Sequence, residues 1–249
     1  MTAVPVAALL AVAGLAPLPY SLARPGQSTN VLGEYQGEDV ISLTGAPARE
    51  TSGQLRMTAI VATAPRTEIR LGEVIDGWFR TDRAVMPRDA VFPPGKTDAE
   101  IAEHNTAEMK DSQHTATTAA LGYLGEDPDR VKVRLSLADV GGPSAGLLFS
   151  LGIVDKLDGD GDGGELTGGR TIAGTGTIDA KGTVGAVGGV ALKTQAAKRD
   201  GATVFLLPKA ECERTQNAPD GLRLIPVTSL KSAVQALTAL NKGGAVPSC

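Results

Sequence analysis

Ser144 sits in Gly142-Pro143-Ser144-Ala145-Gly146, a G-x-S-x-G pattern that presents a nucleophilic hydroxyl where a tight turn runs into a helix. The same five residues also describe a glycine-rich helix start with a capping serine. Chain order separates the chemistries. An α/β-hydrolase places its acid and then its histidine after the serine, whereas His104 and His114, the 2 histidines of the chain, both precede Ser144. A serine without imidazole needs another base, and lysine serves if burial keeps its amine neutral. Lys156 stands beside Asp155 in the last turn of its helix, and Lys181 falls in a hairpin turn. Lys193 differs: Val190 lies three residues before it, Ala196 and Ala197 three and four after, and Thr194, Gln195, Lys198 and Arg199 take the other faces. It is the one charge on that apolar stripe, although a snorkelling stem would give the same periodicity.

The elements that must carry these two residues are readable around them. Val131 to Leu137 alternates as a strand, and Pro143 opens an apolar helix running from Ala145 to Leu157. Arg170 to Ile178 and Thr183 to Val187 read as a hairpin around Asp179-Ala180-Lys181-Gly182. Gly188-Gly189 starts a second helix that ends near Arg199. Thr203 to Leu207 is a buried strand, followed by a strand at Arg223–Val227 and a helix from Ser229 to Leu240. Upstream, Asp39 to Pro65 is strand-like, Leu71 to Phe79 is a short amphipathic helix, and Asp98 to Leu124 is a long exposed helix ending at Gly125. The alternation of strands and helices indicates an α/β or α+β fold.

Gly142-Pro143-Ser144-Ala145-Gly146, then Leu166-Thr167-Gly168-Gly169-Arg170, Ala173-Gly174-Thr175-Gly176 and Gly188-Gly189-Val190-Ala191-Leu192-Lys193 resemble the Lon proteolytic domain in order and spacing. The resemblance implies the α+β, ribosomal-protein-like fold of that domain. It further implies a Ser144–Lys193 dyad 49 residues apart, with Thr175 hydrogen-bonded near the lysine amine. The lysine chosen from its apolar stripe and the lysine of the family motif coincide. The expected activity is a serine endopeptidase acting on protein or peptide, with the oxyanion held at Gly142, Ser144 and Ala145 by amides of the helix start. Family members commonly form six-membered rings, so a homo-hexamer is the implied assembly.

More narrowly, the chain is similar to membrane-anchored Lon-like bacterial proteases that carry a PDZ domain. It departs from them in that only Gly125 to Arg130 separates the long helix from the next strand, too little for a PDZ insertion. Gly95-Lys96-Thr97 is the one GK[ST] sequence, and Ala90 occupies the P-loop glycine position, so the expected protease is ATP-independent and needs no cofactor. The competing reading is a non-catalytic Lon-like scaffold or partner-binding protein, which would have no use for a buried lysine.

Ala3 to Tyr20 carries no charge, and 18 residues of helix span about 27 Å, near the thickness of a bilayer core. This segment reads as a transmembrane anchor, or as a signal with Ser21-Leu22-Ala23 as its cleavage site. The expected location is therefore the cell membrane, single-pass, with the catalytic part outside the cytoplasm, or secreted after cleavage. Cys212 and Cys249 are the 2 cysteines, an even count that reads as a disulfide in an exported chain. A net charge of −4 leaves no electrostatic footprint for nucleic acid. The 3 % aromatic content and 31 glycines imply a core of small aliphatics and tight turns. Asp158-Gly159-Asp160-Gly161-Asp162-Gly163 begins like a calcium loop, but the closing glutamate position is Gly169, so an exposed acidic turn is expected and no metal. The organisation expected is an anchor at 1–23, a linker at 24–38, a strand and helix region at 39–130 and the proteolytic domain at 131–249.

Overall fold

The computed structural model describes residues 14–92, 95–137, 142–215 and 218–249. In chain order the strands are β1 (Tyr20–Asn30), β2 (Glu34–Tyr35), β3 (Glu38–Asp39), β4 (Ile41–Thr44), β5 (Gln54–Ala62), β6 (Ala84–Pro87), β7 (Lys132–Leu135), β8 (Thr171–Gly174), β9 (Thr177–Ile178), β10 (Val184–Gly185), β11 (Val204–Pro208) and β12 (Arg223–Val227). The helices are α1 (Leu71–Trp78), α2 (Arg88–Val91), α3 (Asp98–Leu124), α4 (Gly146–Leu157), α5 (Val190–Arg199) and α6 (Leu230–Asn241). The 3-10 turn Pro143–Ala145 leads into α4, and Lys209–Arg214 forms another after β11.

A mixed six-stranded sheet in the order β12-β11-β8-β5-β1-β6 organises the chain. β12, β11, β8 and β5 run parallel, whereas β1 is antiparallel to both β5 and β6. A parallel strand covered on both faces has no reason to alternate apolar with polar, and β11 (VFLLP) is buried throughout. Its Val204 and Leu206 face a core shared with α3, α4 and α6, while Phe205 and Leu207 face a smaller core under α5. The fold is thus α+β, with helices on both faces of the sheet.

α3 follows its sequence signals closely. Thr97 caps it through a reciprocal bond with Glu100, and it ends at Gly125. It is not wholly exposed, however. Met109, Ser112, Ala116, Ala119 and Ala120 form a buried stripe against α4 and its entry turn. Small side chains at a helical period let two backbones approach closely, and their low hydrophobicity hides the stripe from a pattern search.

The N-terminal expectation is corrected. Among the described residues no helix is long and apolar enough to cross a membrane, which contradicts a single-pass membrane protein. Residues 1–13 of the apolar segment lie outside the described residues. Its end enters the sheet: Leu18 bridges Ile69, and Tyr20 begins β1. Ser21-Leu22-Ala23, expected as a cleavage site, is buried in β1 and pairs with β6, with Ala23 also opposite Ala62 of β5. Residues 24–30, expected as linker, complete β1 through a bulge between Pro25 and Ser28. The Pro/Gly/Ser content that suggested a linker marks this bulge, where the ladder is locally broken.

Candidate active site

Three segments deliver the site to one end of the sheet. β8 stops at Gly174, and its continuation Thr175 donates its amide to Leu206 O of β11 at 3.0 Å. The entry turn of α4 docks on this continuation by two backbone bonds, Gly176 N to Ser144 O at 2.9 Å and Leu147 N to Gly176 O at 3.1 Å. An added Cβ at Gly176 would stand 3.1 to 3.3 Å from Val184 and Leu147, so a side chain there would push the turn away. Gly142, at φ 105°, supplies a backbone conformation that side chains rarely adopt and brings the chain round into Pro143.

Lys193 comes from the first turn of α5. Its Nζ lies 3.0 Å from Ser144 Oγ and 3.0 Å from Thr175 Oγ1. The Thr175 hydroxyl in turn donates to Ser144 O at 3.2 Å. With its proton committed there, it offers a lone pair to the amine and fixes the direction of the lysine head. Lys193 is 4 % exposed and Thr175 fully buried. Burial lowers the Lys193 pKa from 10.5 to about 8, against an opposing pull from the Glu211 carboxylate. Roughly one amine in ten is then neutral at pH 7, compared with fewer than one in a thousand for a free lysine.

Two further hydroxyls hold the peptides on either side of these groups. Thr58 Oγ1, on β5, donates to Gly174 O at 3.0 Å, and Ser112 Oγ, on α3, donates to Pro143 O at 3.1 Å. Neither was found in the sequence. Ser112 carried a signal, since it shares the small-residue stripe with Met109 and Ala116, but Thr58 carried none. Glu211 was also missed: it is buried in the 3-10 turn Lys209–Arg214, which packs against α5. That turn is tethered by a disulfide between Cys212 and Cys249, with Cα atoms 5.3 Å apart.

The other candidates lie elsewhere. Lys156 donates to Ile41 O at 3.0 Å, and Lys181 is exposed in its turn. His104 pairs with Glu108 on the exposed side of α3. Gly95-Lys96-Thr97 serves as the helix start, with Thr97 as cap. The acidic loop is organised around a cation the chain itself supplies: Arg49 donates to Asp155 O at 3.3 Å and to Gly163 O at 2.7 Å. Asp160 Oδ1 accepts from the amides of Asp162 and Gly164. Among the described residues no group of three or more His, Cys, Asp or Glu is placed to hold a metal. A groove of about 1220 Å³ lined by Arg24, Arg56 and Arg199 lies over the sheet, and neither Ser144 nor Lys193 lines it.

Residues 85–238, which contain Ser144, Thr175 and Lys193, match the model of the Lon protease (S16) C-terminal proteolytic domain. The chain belongs to that family. The Lon protease of Malacoplasma penetrans (strain HF-2) is 29 % identical over 153 residues, which cover 56 % of this chain and 18 % of that protein. The chain therefore spans less than a fifth of the length of this curated relative. The family match begins within β6, so β1 and β5, two strands of the central sheet of this Lon-type domain, come from residues ahead of it.

Proposed function

We propose that this Lon-type domain is a serine endopeptidase in which Ser144 is the nucleophile, Lys193 the general base and Thr175 the residue that orients the amine. The observation that carries this reading is a buried amine 3.0 Å from both hydroxyls. Neutral Lys193 takes the Ser144 proton as Oγ attacks the peptide carbonyl. The resulting ammonium then protonates the leaving amine, leaving an acyl-enzyme. Lys193, neutral again, takes a proton from water for deacylation. The amides of Ser144 and Ala145, in the first turn after Gly142, face the developing oxyanion, because the first N–H groups of a helix have no partner within it.

Cleavage by this chain is proposed to need no nucleotide, since Ala90 stands where a P-loop ahead of Gly95-Lys96-Thr97 would need its first glycine. A homo-hexameric ring is the proposed assembly, from the family alone. Digestion of casein by wild type, Ser144→Ala and Lys193→Ala, each with and without ATP, tests the reading. Wild type alone should cleave, at the same rate in both conditions. Equal activity in Lys193→Ala would remove Lys193 as the base, and folded wild type that neither cleaves nor takes up a serine-reactive probe would leave the scaffold reading in its place.

A further inference from the structure

The nucleophile turn contains one peptide unit whose orientation governs a proposed oxyanion donor. The Pro143–Ser144 peptide is planar, so its carbonyl and its N–H point in opposite directions. Fixing Pro143 O therefore aims the Ser144 N–H. The proline ring holds its own φ near −65°, so this plane turns only about the ψ of Pro143 and the φ of Ser144. Two donors converge on that carbonyl. Gly146 N approaches along the turn, and Ser112 Oγ approaches from α3 at 3.1 Å.

Ser112 is buried, and the space around it is tight: a Cβ added at Gly146 would stand 3.2 Å from its Oγ. The packing of α3 on α4 is itself fastened beside this point. Ser150 Oγ, one turn along α4, donates to Ala116 O at 3.1 Å and to Gly146 O at 3.0 Å. The Ser112 hydroxyl is thus presented by a helix that is fixed against the turn it restrains.

We infer that Ser112 is a positioning residue for the hydrolysis: its bond to Pro143 O holds the Ser144 amide on the oxyanion. The inference rests on the Ser144–Lys193 reading and deepens it by assigning α3 a part in the chemistry. Ser112 touches neither substrate nor base, so its loss should lower kcat while leaving KM and the pH dependence set by Lys193 unchanged.

The experiment compares wild type with Ser112→Ala and Ser112→Cys in casein cleavage, and measures inhibition by a peptide boronate, whose tetrahedral adduct fills the oxyanion position. Deleting an oxyanion donor outright costs about 10²- to 10³-fold in kcat, and loosening one should cost roughly 10- to 100-fold. Ser112→Ala should show that loss in kcat and a matching loss of boronate affinity. Ser112→Cys, a weak donor of similar shape, should fall between. A Cys variant equal to wild type, an Ala variant whose loss lies in KM, or an unchanged boronate affinity would each overturn the inference. A crystal structure of Ser112→Ala gives a readout that does not depend on turnover. A Pro143–Ser144 peptide in its original plane would overturn the role of Ser112 even if Ser144 proved not to be the nucleophile. Conversely, inactive Ser144→Ala together with unaffected Ser112→Ala would preserve the dyad and discard the positioning role.

Discussion

The amine of Lys193 stands 3.0 Å from the hydroxyl oxygen of Ser144, although 49 residues of chain separate them. Nothing local brings them together. The contact exists because α5 crosses one face of the sheet while the turn into α4 is docked on the end of β8. The burial that would make the lysine a usable base in the proposed dyad also makes it a liability to the fold, and the two effects are separable by pH.

With a folded pKa of about 8 and an ordinary value of 10.5, Lys193 binds fewer protons in the folded state between those limits. Stability should therefore rise with pH across that window, and the cost of the buried ammonium is greatest below pH 8. Lys193→Met is expected to be inactive yet more stable at pH 7, by about 1–3 kcal/mol. Denaturant unfolding at pH 7 and pH 10 checks this, because the advantage should shrink at the higher pH. Wild-type cleavage should in turn rise through about pH 8 as the amine becomes neutral.

Thr175 both accepts from the lysine and donates to Ser144 O. Thr175→Val keeps its shape and removes both bonds. The cost should be about 1–3 kcal/mol, the usual penalty for buried groups left without a partner. Cleavage should slow by roughly 10- to 100-fold, in keeping with a loss of that size. Steady-state rates beside a thermal melt are sufficient, and an undiminished rate would remove Thr175 from the site.

Glu211 is the carboxylate whose field raises the proton affinity of Lys193 against the effect of burial. Its removal should lower the Lys193 pKa further. Glu211→Gln is expected to shift the rising limb of the cleavage profile to lower pH. It should also lower the plateau, because the ammonium formed during attack loses its counter-charge. A pH–rate profile from pH 6 to pH 10 reads both; a limb that stays in place would show that the carboxylate does not reach the amine.

Asp155 is fully buried at the end of α4, with Oδ1 accepting from Leu166 N at 2.7 Å and Oδ2 without a hydrogen-bond partner. Burial pushes its pKa up to about 6 from 3.8. The folded state binds the extra proton between those values, so the protein should lose stability as pH rises from 4 to 6 on this account. Asp155→Asn retains an acceptor for Leu166 and cannot titrate. Its unfolding free energy should be flatter between pH 5 and pH 7 than that of wild type, which urea titrations at the two pH values will show.

The disulfide closes a separation of 37 residues and ties the C-terminal tail to the turn that carries Glu211. Cys212→Ala with Cys249→Ala should cost about 2–4 kcal/mol. A midpoint of denaturation unchanged by the double substitution, or by reduction of wild type, would show that the tail contributes little.

Much of the site was legible because motifs and periodicity report local demands. The chain order of Ser144 and the two histidines removed the hydrolase triad, and the apolar stripe around Lys193 singled out one lysine. That stripe was narrower on paper than in the fold, where Thr194 is buried as well. Helices with strong caps, such as α3, were placed to the residue, because Thr97, Glu100 and Gly125 act within a few residues of themselves.

What the tertiary structure decided were relationships between segments distant in sequence. The apolar N-terminal stretch read as an anchor and the Pro/Gly-rich stretch after it as a linker. Residues 20–30 are instead an inner strand, because β5 and β6, lying well downstream, supply the pairing that a window of sequence does not contain. Thr58 and Glu211 were invisible for the same reason, and the small-residue stripe that holds Ser112 did not disclose its partner: their types are ordinary, and their significance comes from which carbonyl or amine they meet. By itself the sequence pointed to Ser144 and Lys193 as the proposed nucleophile and base, and it placed the helices that present them. The three-dimensional packing decided the 3.0 Å contacts, the desolvation that shifts the lysine, and the hydroxyls that hold the turn, since each depends on distances across the chain.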